Sequence, residues 1–330
     1  MSRSTSPGQP GSPGRRPPTA DRRLLLPVGL VVLVAGFYAF QWWQQGASRA
    51  EQRQQLLADV RATLDSKSAD KDTLGALMTR LMMLEDAATG PQVLAARAEI
   101  EVLRGRPEDA YRLFGALGES PSATVAQRRL AARIQLARQD GFNGAASAAV
   151  EMLGQVVQFS EEAYADSGAV EDVFRAWQAS TRLWDHERAE ALAAQLAADH
   201  ADSREHRLVK IYDRLDPQRD AVAVEDLLID FGDAVPAELA ALRTTMLLYA
   251  NQVTEAFAQA GKDLNQFAGV GRVRFVLAGV LQALVLSFPA GSSDRADYVE
   301  RRDRQLDWLL ERAPASEPLR QQWSKMRAVR

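Results

Sequence analysis

Short breaker groups divide this chain at fairly regular intervals: Gly90-Pro91, Gly105-Arg106-Pro107, Ser120-Pro121, Asp140-Gly141, Asp216-Pro217 and Ala313-Pro314. Proline lacks an amide donor and glycine gives up the most backbone freedom on ordering, so such groups end helices rather than continue them. Between them apolar residues recur at three and four positions, as in Leu56, Leu57, Val60 and Leu64, and again in Leu74, Leu77, Met78 and Leu81. That is the spacing of one helix face, and the alternation expected of strands is nearly absent. The chain predicts an all-α fold of helical hairpins joined by tight turns. With 330 residues, 46% hydrophobic and 25% charged, it can bury a sizeable core, which excludes global disorder.

A repeat emerges when Gly105 is aligned with Gly141. Leu94, Ala98, Gly105, Ala110, Phe114 and Leu117 then coincide with Leu130, Ile134, Gly141, Ala146, Val150 and Leu153 at a constant offset of 36 residues. A looser echo follows at Trp177, Trp184, Ala189, Ala193 and Leu196, and the pattern fades after Leu208. Small residues let the two helices of a hairpin approach closely, while larger ones fill the seam with the next hairpin. This arrangement resembles the tetratricopeptide repeat, with small or apolar residues on the first helix, a glycine at the turn and Ala-x3-aromatic on the second. The resemblance implies a solenoid whose inner helices line a groove. Transferred to this sequence, it places Gln92, Glu99 and Val102 beside Arg128, Gln135 and Arg138 as candidate protein-binding residues. The version of the groove that clamps a terminal carboxylate wants lysine or asparagine where this chain has Ala95 and Ala131, so that activity is not expected.

The segment RRLLLPVGLVVLVAGFYAFQWWQQ, residues 22–45, is uncharged from Leu24 to Ser48. As a helix, Leu24 to Trp43 would be about 30 Å long, the thickness of a bilayer's hydrocarbon core. Arg15, Arg16, Arg22 and Arg23 precede it, and Arg49, Glu51, Arg53 and Asp59 nearly cancel after it, which predicts a cytoplasmic N-terminus. Trp42 and Trp43 fall where an interfacial belt is expected. Two alternatives stay open at this level: an export signal cut near Ser48-Arg49-Ala50, and a buried core helix. The second apolar run, Phe275 to Ser287, is too short to span, contains Gln282, and reads as a buried helix. Span and repeats together are similar to bacterial inner-membrane proteins that carry a periplasmic tetratricopeptide-like domain.

Little catalytic chemistry is legible. There are no cysteines, which excludes disulfides and thiolate metal sites. Of 40 basic residues only Lys67, Lys71, Lys210, Lys262 and Lys325 are lysines, and the net charge is −3. Five arginines lie against Asp21 in residues 1–23, so the body is more acidic still and general nucleic-acid binding is not expected. His186, His200 and His206 do not share one helix face and suggest no metal site. No phosphate-binding loop, nucleophile elbow or zinc-protease motif occurs. Gly269-Val270-Gly271 lacks the third glycine of a dinucleotide fingerprint and reads as a flexible turn. Acid pairs such as Glu161-Glu162 and Glu171-Asp172 sit near expected helix starts, where they complement the helix dipole.

The expected organisation is a disordered cytoplasmic tail over 1–22, a single transmembrane helix over 23–45, linker helices over 46–90, tetratricopeptide-like repeats over 91–200 and degenerate helical repeats over 201–330. The expected function is a non-enzymatic, membrane-anchored extracytoplasmic scaffold or adaptor for other envelope proteins, in assembly or quality control. It would need no cofactor or metal and would touch the bilayer through residues 24–43. The alternative is a permanent structural subunit of a membrane complex.

Overall fold

The computed structural model describes residues 51–329 except 53, 64–69, 84–89, 118–123 and 213–215. The chain divides into two compact units, Met1–Asp59 and Val60–Arg330. Of the first, the described part is helical, residues 51–52 and 54–59. The second holds helices α1 (Lys71–Met82), α2 (Pro91–Leu103), α3 (Pro107–Gly115), α4 (Val125–Asp140), α5 (Ala146–Ser167), α6 (Val170–Arg182) and α7 (His186–Asp199). It continues with α8 (Arg204–Tyr212), α9 (Pro217–Phe231), α10 (Ala237–Tyr249), α11 (Val253–Gln266), α12 (Gly271–Ser287), α13 (Ser293–Arg312) and α14 (Arg320–Ala328).

The transmembrane helix expected over 23–45 lies outside the described residues, and among the described residues no helix is long and apolar enough to cross a membrane. The fold class is corrected accordingly to all-α helical hairpins without a spanning helix among the described residues. The placement as a single-pass bacterial inner-membrane protein with a periplasmic C-terminal domain rested on that span, and it is corrected with it. The most apolar described helix, α12, shows why. It has 17 residues, begins with Arg272 and Arg274, carries Gln282, and buries Val273, Leu277, Val280, Leu281 and Val285 against neighbouring helices.

Each helix from α1 to α14 packs on the next in sequence, and each even-numbered helix from α2 to α12 also touches the next even-numbered one. The even helices therefore form one layer of a stack of hairpins, compatible with a helical solenoid. Their first residues, Pro91, Val125, Val170, Arg204, Ala237 and Gly271, lie 34, 45, 34, 33 and 34 residues apart. The pitch continues beyond Leu208, where the residue pattern fades. The one long interval belongs to the second hairpin, whose α5 runs to 22 residues before Gly168 ends it in the left-handed conformation, φ +63°.

The turns repeat as well. Gly105, Trp184 and Asn251 each stand two residues before the second helix of a hairpin with positive φ, +72°, +56° and +59°. In each, that residue's N–H donates to the carbonyl three back, and the next N–H donates to the carbonyl five back. The bonds are Gly105 to Val102 (3.0 Å) and Arg106 to Glu101 (2.8 Å), Trp184 to Thr181 (3.2 Å) and Asp185 to Ser180 (3.0 Å), and Asn251 to Leu248 (3.1 Å) and Gln252 to Leu247 (2.9 Å). This closes the carbonyls a helix end leaves open.

Gly141 does not belong to this set. Its φ is −88°, and Phe142, Asn143, Gly144 and Ala145 follow before α5 begins. The 36-residue offset therefore holds on the first helices, where Ala98, Leu130 and Ile134 are buried, and becomes 39 on the second helices. Leu153, buried, stands where Phe114 stands, whereas Val150 is 57% exposed. The core cluster here joins Ala98, Ala110, Leu130 and Ile134. Ala110 is fully buried at the α2–α3 approach, but Ala146 is half-buried at the first residue of α5. Ala110→Leu is thus expected to cost about 1 to 3 kcal/mol by overpacking, and Ala146→Leu clearly less. Thermal melts of the two variants check this; equal losses would contradict the 39-residue register.

The largest core cluster joins α6, α7, α8, α9 and α10 around Trp177, whose ring stacks on Phe174 (5.6 Å) and meets Tyr212 edge-on (5.2 Å). Helix starts are locally specified. Thr124 and Gln127 form a reciprocal capping box on α4, and Asp185 and Ser292 cap α7 and α13.

Candidate functional site

Four of the six expected groove residues are committed to bonds between helices. Arg128 on α4 reaches Asp166 and Glu162 on α5. Arg138 on α4 bonds Glu108 on α3 (3.0 Å), donates to Gln135 (3.0 Å) and lies over the Tyr111 ring at 3.8 Å. Glu99 on α2 pairs with Arg133 on α4. Gln135 is buried and donates to Gln155 on α5. Val102 is half-buried beside the Ala98 cluster, and Gln92 is exposed at the start of α2. The structure brings Gln135 and Arg138 together, ties Arg128 and Gln135 across their own hairpin to α5, and ties Arg138 and Glu99 between the first and second hairpins. Exposed pairs of this kind contribute little each, so replacing Arg128 and Arg138 together by alanine is expected to lower stability modestly, about 1 kcal/mol.

A second polar centre had no sequence signal. The loop after α4 docks on the α11–α12 junction: Gly269 N–H donates to the Asp140 carbonyl (2.8 Å), and Gln139 Nε2 donates to the Gly269 carbonyl (2.7 Å). Asn143 Oδ1 accepts from Arg274 (2.8 Å) and Trp308 Nε1 (2.9 Å), and Arg312 reaches the Gly144 carbonyl. The row of hairpins thus curves far enough that its second turn meets its sixth hairpin. Gly269 serves a close backbone approach rather than a flexible turn.

Beside this junction Arg182, at the end of α6, is 4% exposed and forms ion pairs with Asp140 (2.6 Å) and Glu238 (2.9 Å). It also donates to Gln139 (2.7 Å), and the other Glu238 oxygen accepts from Gln178 (2.7 Å). Burial disfavours the Arg182 cation, but the two carboxylates outweigh it and hold the guanidinium protonated. With two acids against one cation, burial pushes the Asp140 carboxyl up to about 6; Arg182 opposes the shift and Glu238 adds to it.

A carboxyl raised in the fold binds protons more tightly there than in the unfolded chain. Its contribution is complete below the unfolded value of 3.8 and is lost as pH rises through about 6. Asp140→Asn is expected to flatten the stability profile between about pH 4 and 7 and to cost less than about 1 kcal/mol at pH 8. Denaturant titrations across that range check it; an unchanged slope in the variant would exclude Asp140 as its source.

A cavity of about 980 Å³ opens beside the same centre between α6, α7, α8, α12 and the chain around α14. Trp184, Tyr212, Phe275 and Trp323 contribute aromatic rings to its lining, Arg272, Lys210, Glu190, Asp220 and Glu317 supply charge, and His186 and His206 also line it. His186 Nε2 lies 2.9 Å from Glu317, and His206 Nδ1 lies 2.7 Å from the Ala201 carbonyl. His200 sits apart, edge-on to Tyr164. No group of three or more histidine, aspartate or glutamate side chains arranged to hold a metal occurs among the described residues.

No protein-family model matches the chain, and no curated protein is significantly similar to it.

Proposed function

We propose that this chain is a non-enzymatic, tetratricopeptide-like scaffold that binds other proteins. The observation that carries the reading is the repeated unit itself: even-numbered helices that touch in series, set 33 to 34 residues apart except at one hairpin. Three inter-helix turns built on the same bonds support the same unit. Stacked hairpins create extended surfaces of the kind that repeat proteins use to bind partners. Large apolar side chains remain outside this stack, among them Val222 and Ile229, 68% and 78% exposed and two turns apart on α9, and Tyr249 at the end of α10. Paired exposed apolar residues on one helix face suit a protein partner.

The test places a photo-crosslinking residue at 222, 229 or, as control, at Asp294 on α13, in the full chain in its native cells. Discrete adducts from the α9 positions that disappear with an additional Val222→Asp would support a partner face. Adducts from all three positions within one assembly of constant size would favour a permanent structural subunit. Absence of adducts at every position would count against the scaffold reading.

A further inference from the structure

Helix α9 carries apolar residues on two opposite faces. Val224, Leu227 and Phe231 are buried in the cluster around Trp177. At about 100° per residue, Val222, Glu225, Asp226 and Ile229 fall together on the other side of the helix, and all four are exposed. Val222 and Ile229 take no part in the core, and β-branched residues are weaker helix formers than the alanine or glutamate that a solvated face commonly carries. Neither the helix nor the core accounts for them.

Charge says what can cover this face. Glu225, Asp226 and, just beyond the helix end, Asp233 are exposed and have no cationic partner among the described residues. The arginines at hand are spent: Arg207 pairs with Asp230 (2.5 Å), and Arg204 donates to the Asp230 carbonyl (2.6 Å) and pairs with Glu205 (2.9 Å). The last turn of α9 holds no basic residue, so the negative end of the helix dipole adds to the same field. An apolar stripe set in uncompensated negative charge suits a partner that brings apolar side chains and cations together. A symmetric contact with a second copy would set the carboxylates of one α9 against those of the other, and an anionic lipid surface would be repelled in the same way. Shape narrows the partner further. The amides of α9 are bonded within the helix, so no strand can add to it, and Val222 and Ile229 stand about 10 Å apart along the axis, the spacing of i and i+7 on a facing helix.

Resting on the partner-face reading of α9, we propose that this face docks a basic amphipathic helix of another protein. The apolar side chains of that helix pack about Val222 and Ile229, and its lysines or arginines reach Glu225, Asp226 and Asp233.

The probe is a synthetic three-heptad helical peptide with leucine at two positions per heptad and lysine beside them, compared with the same peptide carrying glutamate for lysine, each titrated into the full chain. Saturable binding of the lysine peptide is expected, with a dissociation constant on the order of 10 to 100 μM, because a single helix pair buries less than a standard interface. The glutamate peptide should bind at least about tenfold more weakly. Glu225→Gln, Asp226→Asn and Asp233→Asn together should weaken the lysine peptide about tenfold and remove most of its salt dependence. Val222→Ser with Ile229→Ser should weaken it about tenfold and keep the salt dependence. Both variants alter exposed positions and should melt with the wild type. Asp294→Asn, Asp297→Asn and Glu300→Gln together remove as many exposed acids from α13 and should leave affinity unchanged. Equal affinity for the two peptides, or undiminished affinity in either α9 variant, overturns the proposal. In native cells, adducts from a photo-crosslinking residue at 222 or 229 should map to a partner segment that is net positive, with apolar residues three and four apart. Adducts that map to an acidic or uncharged segment overturn the basic helix and leave the scaffold standing; absence of adducts at both positions removes the two readings together.

Discussion

Gly269→Ala is expected to lower stability by about 3 to 5 kcal/mol and the melting temperature by about 10 °C. A Cβ built on Gly269 would stand 1.9 Å from the Gln139 carbonyl oxygen and 2.9 Å from that of Phe142. Both obstacles are backbone, so no rotamer change relieves them, and the loop after α4 must leave the α11–α12 junction. Departure would sacrifice the Gly269 to Asp140 and Gln139 to Gly269 bonds, at about 1 kcal/mol each. It would also pull Asn143 from Arg274 and Trp308. Since this contact closes the curved row of hairpins, its loss should split the melt, with the hairpins from α10 onward loosening first. Gly261→Ala, within α11 and with open space at its Cβ, is the control. It should stabilise by up to about 1 kcal/mol, because alanine is the better helix former. A single transition at the wild-type temperature for Gly269→Ala would mean that this junction does not hold the fold together.

The hairpins were readable because their signals are local. Pro91 and Pro107 stand at the first residues of α2 and α3, and Asp140-Gly141 marks the end of α4. The repeat was readable on α2 and α4, where Ala98, Leu130 and Ile134 face one core. It went astray on α5 because the loop Phe142 to Ala145 adds residues that a fixed offset cannot absorb. Those residues are there for partners far along the chain: Asn143 bonds groups 131 and 165 positions away. Periodicity reports one helix face at a time and carries no record of such pairing. For the same reason Gly269-Val270-Gly271 read as a loose turn, although Gly269 is wedged against backbone and Gly271 is close to Trp184.

The groove residues illustrate a different limit. A repeat pattern transfers positions, but whether an arginine at such a position is free depends on its neighbours: Arg128 finds acids on the second helix of its own hairpin, and Arg138 finds one on the preceding hairpin. The cavity draws on residues from Thr181 to Trp323 and has no compact motif.

Arg182→Met should be the most damaging single polar substitution, about 3 to 5 kcal/mol at pH 8. Removing the guanidinium leaves Asp140 and Glu238 facing each other with no cation between them, Glu238 being 1% exposed. It also strips Gln139 of a donor, weakening the side chain that holds Gly269. Methionine fills much of the volume, so the loss reports charge and hydrogen bonding rather than a cavity. The sign with pH follows from the acids. Asp140 already takes up a proton near pH 6 with the cation present, and without the cation its carboxyl protonates at higher pH. The defect should therefore shrink as pH falls from 8 to about 5, whereas a variant that merely loses packing would show the same defect across that range. The triple variant Arg182→Met, Glu238→Gln, Asp140→Asn removes every charge of the cluster and should recover most of the loss, since an uncharged buried set carries no desolvation penalty for ions. Denaturant unfolding of the single and triple variants at pH 5 and pH 8 decides it. A defect independent of pH and not repaired in the triple variant would show that Arg182 acts through shape, and that the buried charges are incidental to the closure of the hairpin row.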